Sequence, residues 1–437
     1  MKKMHLSIWR KVCKLMKNYV ENPRSLCALN GAIGVFSALG KTIPILHAGP
    51  GCGLQASIGV KSGYVGGGTG CPSSNMFEKE VVFGGINRLR ETIEGTLEVM
   101  EGDLYAVLTG CTSGIIGDDV ENLVEEFKTK DIPIAYIETS GFKGDSYYGY
   151  EVSLTEIVKQ FTKASTEKEA KTVNVFGIVP TQDITWKGNL EEITRILKKL
   201  GLKVNTFFTE NQGIENIKAS SKATLNIVFS PWLLKELSDI YKDKFNINTF
   251  RYEGLPIGPT ATSDFIRRLT KHISIDEELI ESVIKEEEDY VYSYYEYINA
   301  MIKTYRFIIV GDTNTVLGLN RFLVNDYGQI PLISIITDDV PKENKEEIEN
   351  ELNNLEYARK PKIIFENDKW KIAEIIKEVQ DEVTLILGSS FEREIGNELD
   401  IVTIVVSTPS TESLILNKGY AGYRGCLTFL EDLYDNN

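Results

Sequence analysis

The chain has 437 residues, 42% hydrophobic and 25% charged, a balance that excludes a disordered polymer and leaves length for two or three ordinary cores. Its 48 basic and 63 acidic residues give a net charge of −15, which argues against a field that gathers nucleic acid or anionic lipid. No run approaches the roughly 18 apolar residues of a bilayer span, so the expectation is a cytosolic chain with neither a nucleic-acid nor a membrane partner.

Taken in chain order, MKKMHLSIWRKVCKLMKNYVENP is basic and amphipathic, lacks the apolar core and cleavage site of a secretion signal, and reads as a surface-docked helix. Three runs then share one pattern, a short β-branched strand, a turn of Gly, Pro or Ser, and helical periodicity: KTIPILHAGPGCG, LYAVLTGCTSG and IPIAYIETSGFKG. After the polar stretch Lys163 to Lys171 come TVNVFGIVPTQ, KVNTFFTE and TLNIVFSPW, separated by helical segments such as NLEEITRILKKLG. Ile273 to Thr304 is acidic, then Tyr-rich, with helical period and no breaker, which predicts one long helix bridging two domains. RFIIVGDTN, PLISIITDD, KIIFEND, VTLILGSSF and IVTIVVSTP supply a third set of strands, and CLTFLEDLY a closing helix. The pattern predicts an α/β chain of three Rossmann-like domains with parallel sheets flanked by helices, at 1–170, 171–290 and 291–437.

Six cysteines are too few for a disulfide scaffold, and the absence of any CxxC pair excludes a zinc ribbon or a thioredoxin-type motif. Loops at the carboxyl ends of parallel strands gather on one edge, where ligands bind. Cys52 in GPGCG and Cys111 in TGCTSG fall there, in glycine turns that offer no hydrophobic pocket; spacing alone divides them evenly between core filling and ligation. Cys27 precedes the first strand and Cys71 sits in GGGTGCPSS, so four separated cysteines are available to converge on a metal. Cys13 and Cys426 lie on helical apolar stripes and read as core fillers.

Thiols without histidine favour iron–sulfur chemistry over a catalytic zinc site, and there are only three histidines. His47, ahead of the Cys52 loop, is read as capping its strand or donating to a cluster sulfide. Asp118 and Asp119 open DDVENLVEEF, where carboxylates cap a helix. There is no GxxxxGK[ST] motif for nucleotide hydrolysis, and GPGCGLQ lacks the GxGxxG spacing of a dinucleotide site.

An ordered set of segments resembles the component 1 proteins of nitrogenase: CALNGA, HAGPGCG, CPSSNMFEKEVVFGG, LTGCTSGIIGDD and ETSGFKG, then LPIGPTATSDF, RFIIVGD, LGSSFEREI and GYAGYRGCLTFLEDL. The resemblance spans almost the whole chain. It implies that Cys27, Cys52 and Cys111 are the three thiolates with which a subunit holds its half of an interfacial cluster. By the same resemblance, Ser140 stands near a hydroxyl that ligates the oxidised cluster in β subunits, and Cys71 near the cluster but outside its ligand set. The places where catalytic α subunits hold their active-site cofactor are Phe229-Ser230 and Ala421 here, and neither offers the expected Cys or His. The chain is therefore similar to a β-type subunit, of a divergent branch, since FEKEVVFGG and SGFKG resemble α subunits as much as β.

The expectation is an oxidoreductase subunit holding half of an iron–sulfur centre, [8Fe–7S] P-cluster-like or [4Fe–4S], with a similar α-type partner in an α2β2 assembly. Electrons would come from an iron-protein ATPase reductase and pass to the partner's active site. The readings weighed against this are a scaffold for metal-cofactor assembly, a nitrogenase-like reductase of a tetrapyrrole or organosulfur compound, and a Rossmann-like binding protein without metal.

Overall fold

A computed structural model of the chain describes residues 24, 26–58, 71–301, 303–355 and 359–435. The amphipathic amino-terminal stretch and Cys13 lie outside the described residues. The first sheet has the order β1 (Thr42–His47), β2 (Leu104–Thr109), β3 (Ile134–Ile137). The second contains β4 (Thr172–Phe176), β5 (Lys203–Asn205), β6 (Leu225–Phe229) and β7 (Asn248–Tyr252), in the order β5-β4-β6-β7. The third contains β8 (Arg306–Gly311), β9 (Ile330–Ile336), β10 (Lys362–Phe365), β11 (Leu385–Gly388) and β12 (Val402–Val405), in the order β10-β9-β8-β11-β12. Every pairing within these sheets is parallel. Helices cover both faces, which is why strands such as LYAVLT and LNIVF are buried along their whole length and read as continuous apolar runs.

One apolar core runs through all three sheets, joining Leu46 and Leu108 of the first to Val175 and Ile227 of the second and Phe307 and Leu387 of the third. Two smaller cores sit outside it. One packs Ile43, Ile45 and Val107 under Leu89, Ile93 and Phe127; the other packs Ile308, Val310 and Ile335 under Ile372 and Ile376.

Two expectations from the sequence are corrected. The segment predicted as one long helix forms Glu277–Tyr292 and Tyr295–Met301, because at Ser293 and Tyr294 the backbone tightens, with Tyr294 N–H donating to Val291 O and the Ser293 hydroxyl to Tyr290 O. β7 was not anticipated. It is an edge strand in which Phe250 and Tyr252 are buried while Asn248 is exposed, so NTFRY carries too short an apolar signal to stand out.

The second and third sheets meet by their carboxyl edges. The Asn314 amide, behind β8, donates to Gly177 O at 2.8 Å and Phe229 O at 2.7 Å, at the ends of β4 and β6. Asp338, behind β9, accepts from Trp232 Nε1 at 3.1 Å and from Thr313 N at 2.8 Å. Ser230 and Ala421 are spent on this junction: the Ser230 hydroxyl accepts from Trp232 N and Leu233 N, and Ala421 N donates to Asn189 Oδ1.

Three buried carboxyls share the junction. Burial, and then the charge of Asp312, pushes Asp183 up to about 6 and Asp338 up to about 7, and burial raises Asp312 itself. Each folded value exceeds the unfolded one, so the folded chain keeps protons that the unfolded chain has released. These groups therefore cost nothing below the unfolded carboxyl range and most above about pH 7. Asp312→Asn preserves the helix cap to Asn314 N and Thr315 N while removing one charge from the group. It is expected to stabilise the fold by on the order of 1 kcal/mol at pH 8 and to give no such gain at pH 4. Urea unfolding at the two pH values checks this, and an equal effect at both would refute the shared charge.

Candidate metal centre

The three parallel strands of the first sheet run in near-level register, with Leu46 opposite Leu108 and Leu108 opposite Ile137. Their carboxyl ends therefore emerge at one height. β1 leads to Cys52 in the first turn of the helix Pro50–Ile58, β2 leads to Cys111, the first residue of the helix Cys111–Ile116, and β3 leads to Ser140 and Gly141. Cys27 arrives from outside the sheet as the residue before the helix Ala28–Ala38, paired in an antiparallel bridge with Asp145.

The helix Ala28–Ala38 is held by contact with Ser146–Phe161. A methyl group at Gly31 would lie 2.0 Å from Ser146 O, and one at Gly149 would lie 2.1 Å from Ala28 O. Both glycines are required for the backbones to touch, and that contact sets Cys27 down beside the strand ends.

The thiols come together. A methyl group at Gly141 would stand 3.1 Å from Cys111 Sγ and 3.2 Å from Cys27 Sγ, so both sulfurs face the same bare backbone position. Burial raises the Cys52 thiol above its ordinary value, and neighbouring Cys27 and Cys111 raise it further, which places it in the same group. Cys27 and Cys111 are exposed and Cys52 is half-buried. All three lie at the amino ends of helices, which favour negative charge at this edge. Among the described residues no set of three or more His, Cys, Asp and Glu side chains is placed to hold a metal ion.

The surrounding residues have defined places. Ser140 is fully buried, its hydroxyl donating to Gly110 O at 3.3 Å and pressed against Gly114. Burial pushes the Cys71 thiol up to about 11. His47 is fully buried, with Nδ1 3.0 Å from the Ser74 hydroxyl and Nε2 2.9 Å from Asp118 Oδ2, so both ring nitrogens are engaged within the protein. Asp119 caps the helix Val120–Lys128 by accepting from Asn122 N, as the sequence predicts. Asp118 departs from that reading: its carboxylate turns inward to His47 and Gly85 N instead of capping the helix. The pairing of His47 with Asp118 joins residues 71 positions apart, and no local signal announces it.

An apolar rim surrounds the thiols. Ile115 and Phe142 flank Cys111 and are 74% and 60% exposed; Leu54 follows Cys52; Val82 and Phe83 end the neighbouring helix Glu78–Phe83, Phe83 being 82% exposed. Apolar side chains at such exposure, gathered at one edge with the thiols, form a patch of the kind found at protein–protein interaction sites.

Comparison with known proteins matches residues 27–436 to the family described as nitrogenase component 1 type oxidoreductase. The chain belongs to that family. It is similar to the nitrogenase vanadium-iron protein beta chain of Trichormus variabilis, at 24% identity over 93% of this chain and 91% of the relative. It is also similar to the nitrogenase molybdenum-iron protein beta chain of Azotobacter vinelandii, at 22% identity over 95% and 83%. The solved structure of nitrogenase Cp1 at pH 6.5 shares the fold, with a TM-score of 0.81 and 18% identity over 96% of this chain and 93% of that one. Within the nitrogenase component 1 family this chain is of the β type and of oxidoreductase kind. Among the described residues no helix is long and apolar enough to cross a membrane.

Proposed function

We propose that this chain is the β-type subunit of a nitrogenase-like oxidoreductase, and that Cys27, Cys52 and Cys111 hold its half of an iron–sulfur centre shared with a similar α-type subunit. The observation that carries the reading is three thiols, brought from three separate elements to one sheet edge, two of them exposed inside an apolar rim. Such an edge is half of a binding site, and a partner bringing its own thiols completes it.

The donors suit the group. Thiolates select iron–sulfur centres, imidazole is engaged elsewhere, and a bound cation offsets the burial and the thiol–thiol repulsion that raise Cys52. A centre of the [8Fe–7S] kind fits ligands divided between two subunits, with [4Fe–4S] the smaller form. When bound, it supplies one-electron transfer at a potential set by ligand type, burial and hydrogen bonds to sulfur.

This chain's residues then have distinct tasks. Gly141 leaves space between the Cys27 and Cys111 sulfurs that any side chain would fill. Ser140 keeps a buried hydroxyl beside the Cys111 helix, and Cys71 stays outside the ligand set, as the resemblance of its segment to the family implies. Because the sequence has no nucleotide-hydrolysing loop, the electrons come from a separate iron-protein ATPase and pass on to an active site in the α-type subunit. The assembly we propose is α2β2, as the family resemblance implies.

The test is anaerobic co-purification with the α-type subunit. The expected product is brown, with several irons for each pair of subunits and an iron–sulfur signal in the reduced state. Iron near zero in an intact complex rejects the reading.

A further inference from the structure

The carboxylate of Asp118 is bonded on two sides, and the two sides lead to different places. Its oxygens accept the Gly85 N–H at 3.0 and 3.1 Å, and Oδ2 also receives His47 Nε2 at 2.9 Å. Gly85 follows the exposed Val82-Phe83 tip by two residues. Asp118 itself follows the short helix that starts at Cys111, with its own N–H reaching back to Ser113 O at 3.4 Å. His47 ends β1, five residues before Cys52.

The fit around this pair is tight. A methyl group at Gly85 would meet Met76 Cε at 2.7 Å, Asp118 Oδ2 at 2.8 Å and His47 Cε1 at 2.9 Å. The proton positions follow from the partners. A carboxylate only accepts, so Nε2 carries the imidazole proton and Nδ1 accepts from Ser74. Burial lowers the affinity of His47 for a second proton, and the pair persists with a neutral ring.

We propose that Asp118 is a positioning residue that couples the exposed Val82-Phe83 tip to the Cys111 thiol. A protein pressing on Phe83 moves Gly84 and Gly85 against the carboxylate, and the carboxylate passes the displacement to the end of the Cys111 helix. His47 makes the link stiff by anchoring the same carboxylate to β1. If Cys111 ligates a cluster as proposed above, contact at the tip alters the ligand field at one of three thiolates. The link itself is a property of the protein alone.

It is tested on the full chain without metal, through the alkylation rates of Cys111 and Cys27 by iodoacetamide, read by peptide mass spectrometry. Asp118→Asn is nearly isosteric, but it leaves one oxygen where two receive the Gly85 N–H, so the Gly85 side of the link is weakened whichever way the amide turns. Expected is a change of about fivefold or more in the Cys111 rate with the Cys27 rate unchanged, because Cys27 starts a helix outside the link. The neighbouring cap variant Asp119→Asn should leave both rates alone. If D118N does not fold, Ser74→Ala loosens His47 from the other side, and a smaller, equally selective Cys111 change is expected. Equal changes at Cys27 and Cys111, or none at either, overturn the proposal. Absence of iron from the wild-type complex would reject the cluster reading and leave these rates untouched.

Discussion

Cys111→Ala, made in the co-purified complex, is expected to lower retained iron by at least about tenfold and to abolish the native reduced-state signal. Changes to groups that merely support a metal ligand already cost ~10–100-fold in affinity, and loss of a ligand costs no less. Cys111 is exposed at the rim and shares the Gly141 position with Cys27, so no neighbouring thiol of this chain can move in to replace it without displacing another member of the set. Cys71→Ala is the matched comparison. Its thiol lies outside the proposed ligand set, and removal is expected to leave iron content close to that of the wild type. Full iron in the Cys111→Ala complex would strike that residue from the ligand set.

The second large effect is structural and reaches the same site. Gly149→Ala places a methyl group 2.1 Å from Ala28 O and 2.9 Å from Ala28 C, well inside van der Waals contact and against backbone that cannot rotate away. Alanine is the better helix former by about 1 kcal/mol, and at an exposed position the change would be neutral or favourable. Here the helices Ala28–Ala38 and Ser146–Phe161 must separate, at a cost of about 3 kcal/mol or more from overpacking. Urea unfolding should register a net loss of about 2 kcal/mol or more once the helix propensity is credited. Because Ala28 follows Cys27 directly, the same variant is expected to lower iron retention in the complex. A stability within about 0.5 kcal/mol of the wild type would mean that the two helices do not pack as closely as described.

Local sequence carried much of this architecture because its signals are local. LYAVLT and LNIVF are buried on both faces, so their apolar runs needed no partner to be recognised. Cys52 and Cys111 were legible as strand-end residues because parallel strands carry their carboxyl ends to one edge. NTFRY and the break at Ser293 were not legible, the first because an edge strand buries too little, the second because no Gly or Pro marks it.

The sequence by itself determined the alternation of strands and helices, the glycine turns that hold Cys52 and Cys111, and the ordered segments that place the chain in its family. It also contains no GxxxxGK[ST] motif. The resemblance in sequence had grouped Cys27 with Cys52 and Cys111, but only the tertiary structure supplied the physical reason, because the approach of Cys27 depends on Gly31 and Gly149 letting two helices touch. Tertiary structure alone turned Asp118 from a helix cap into the partner of His47, and gathered Asp183, Asp312 and Asp338 into one buried group. The reason is common to all three: burial and charge proximity arise between residues distant in the chain, and no local periodicity encodes which of them will meet.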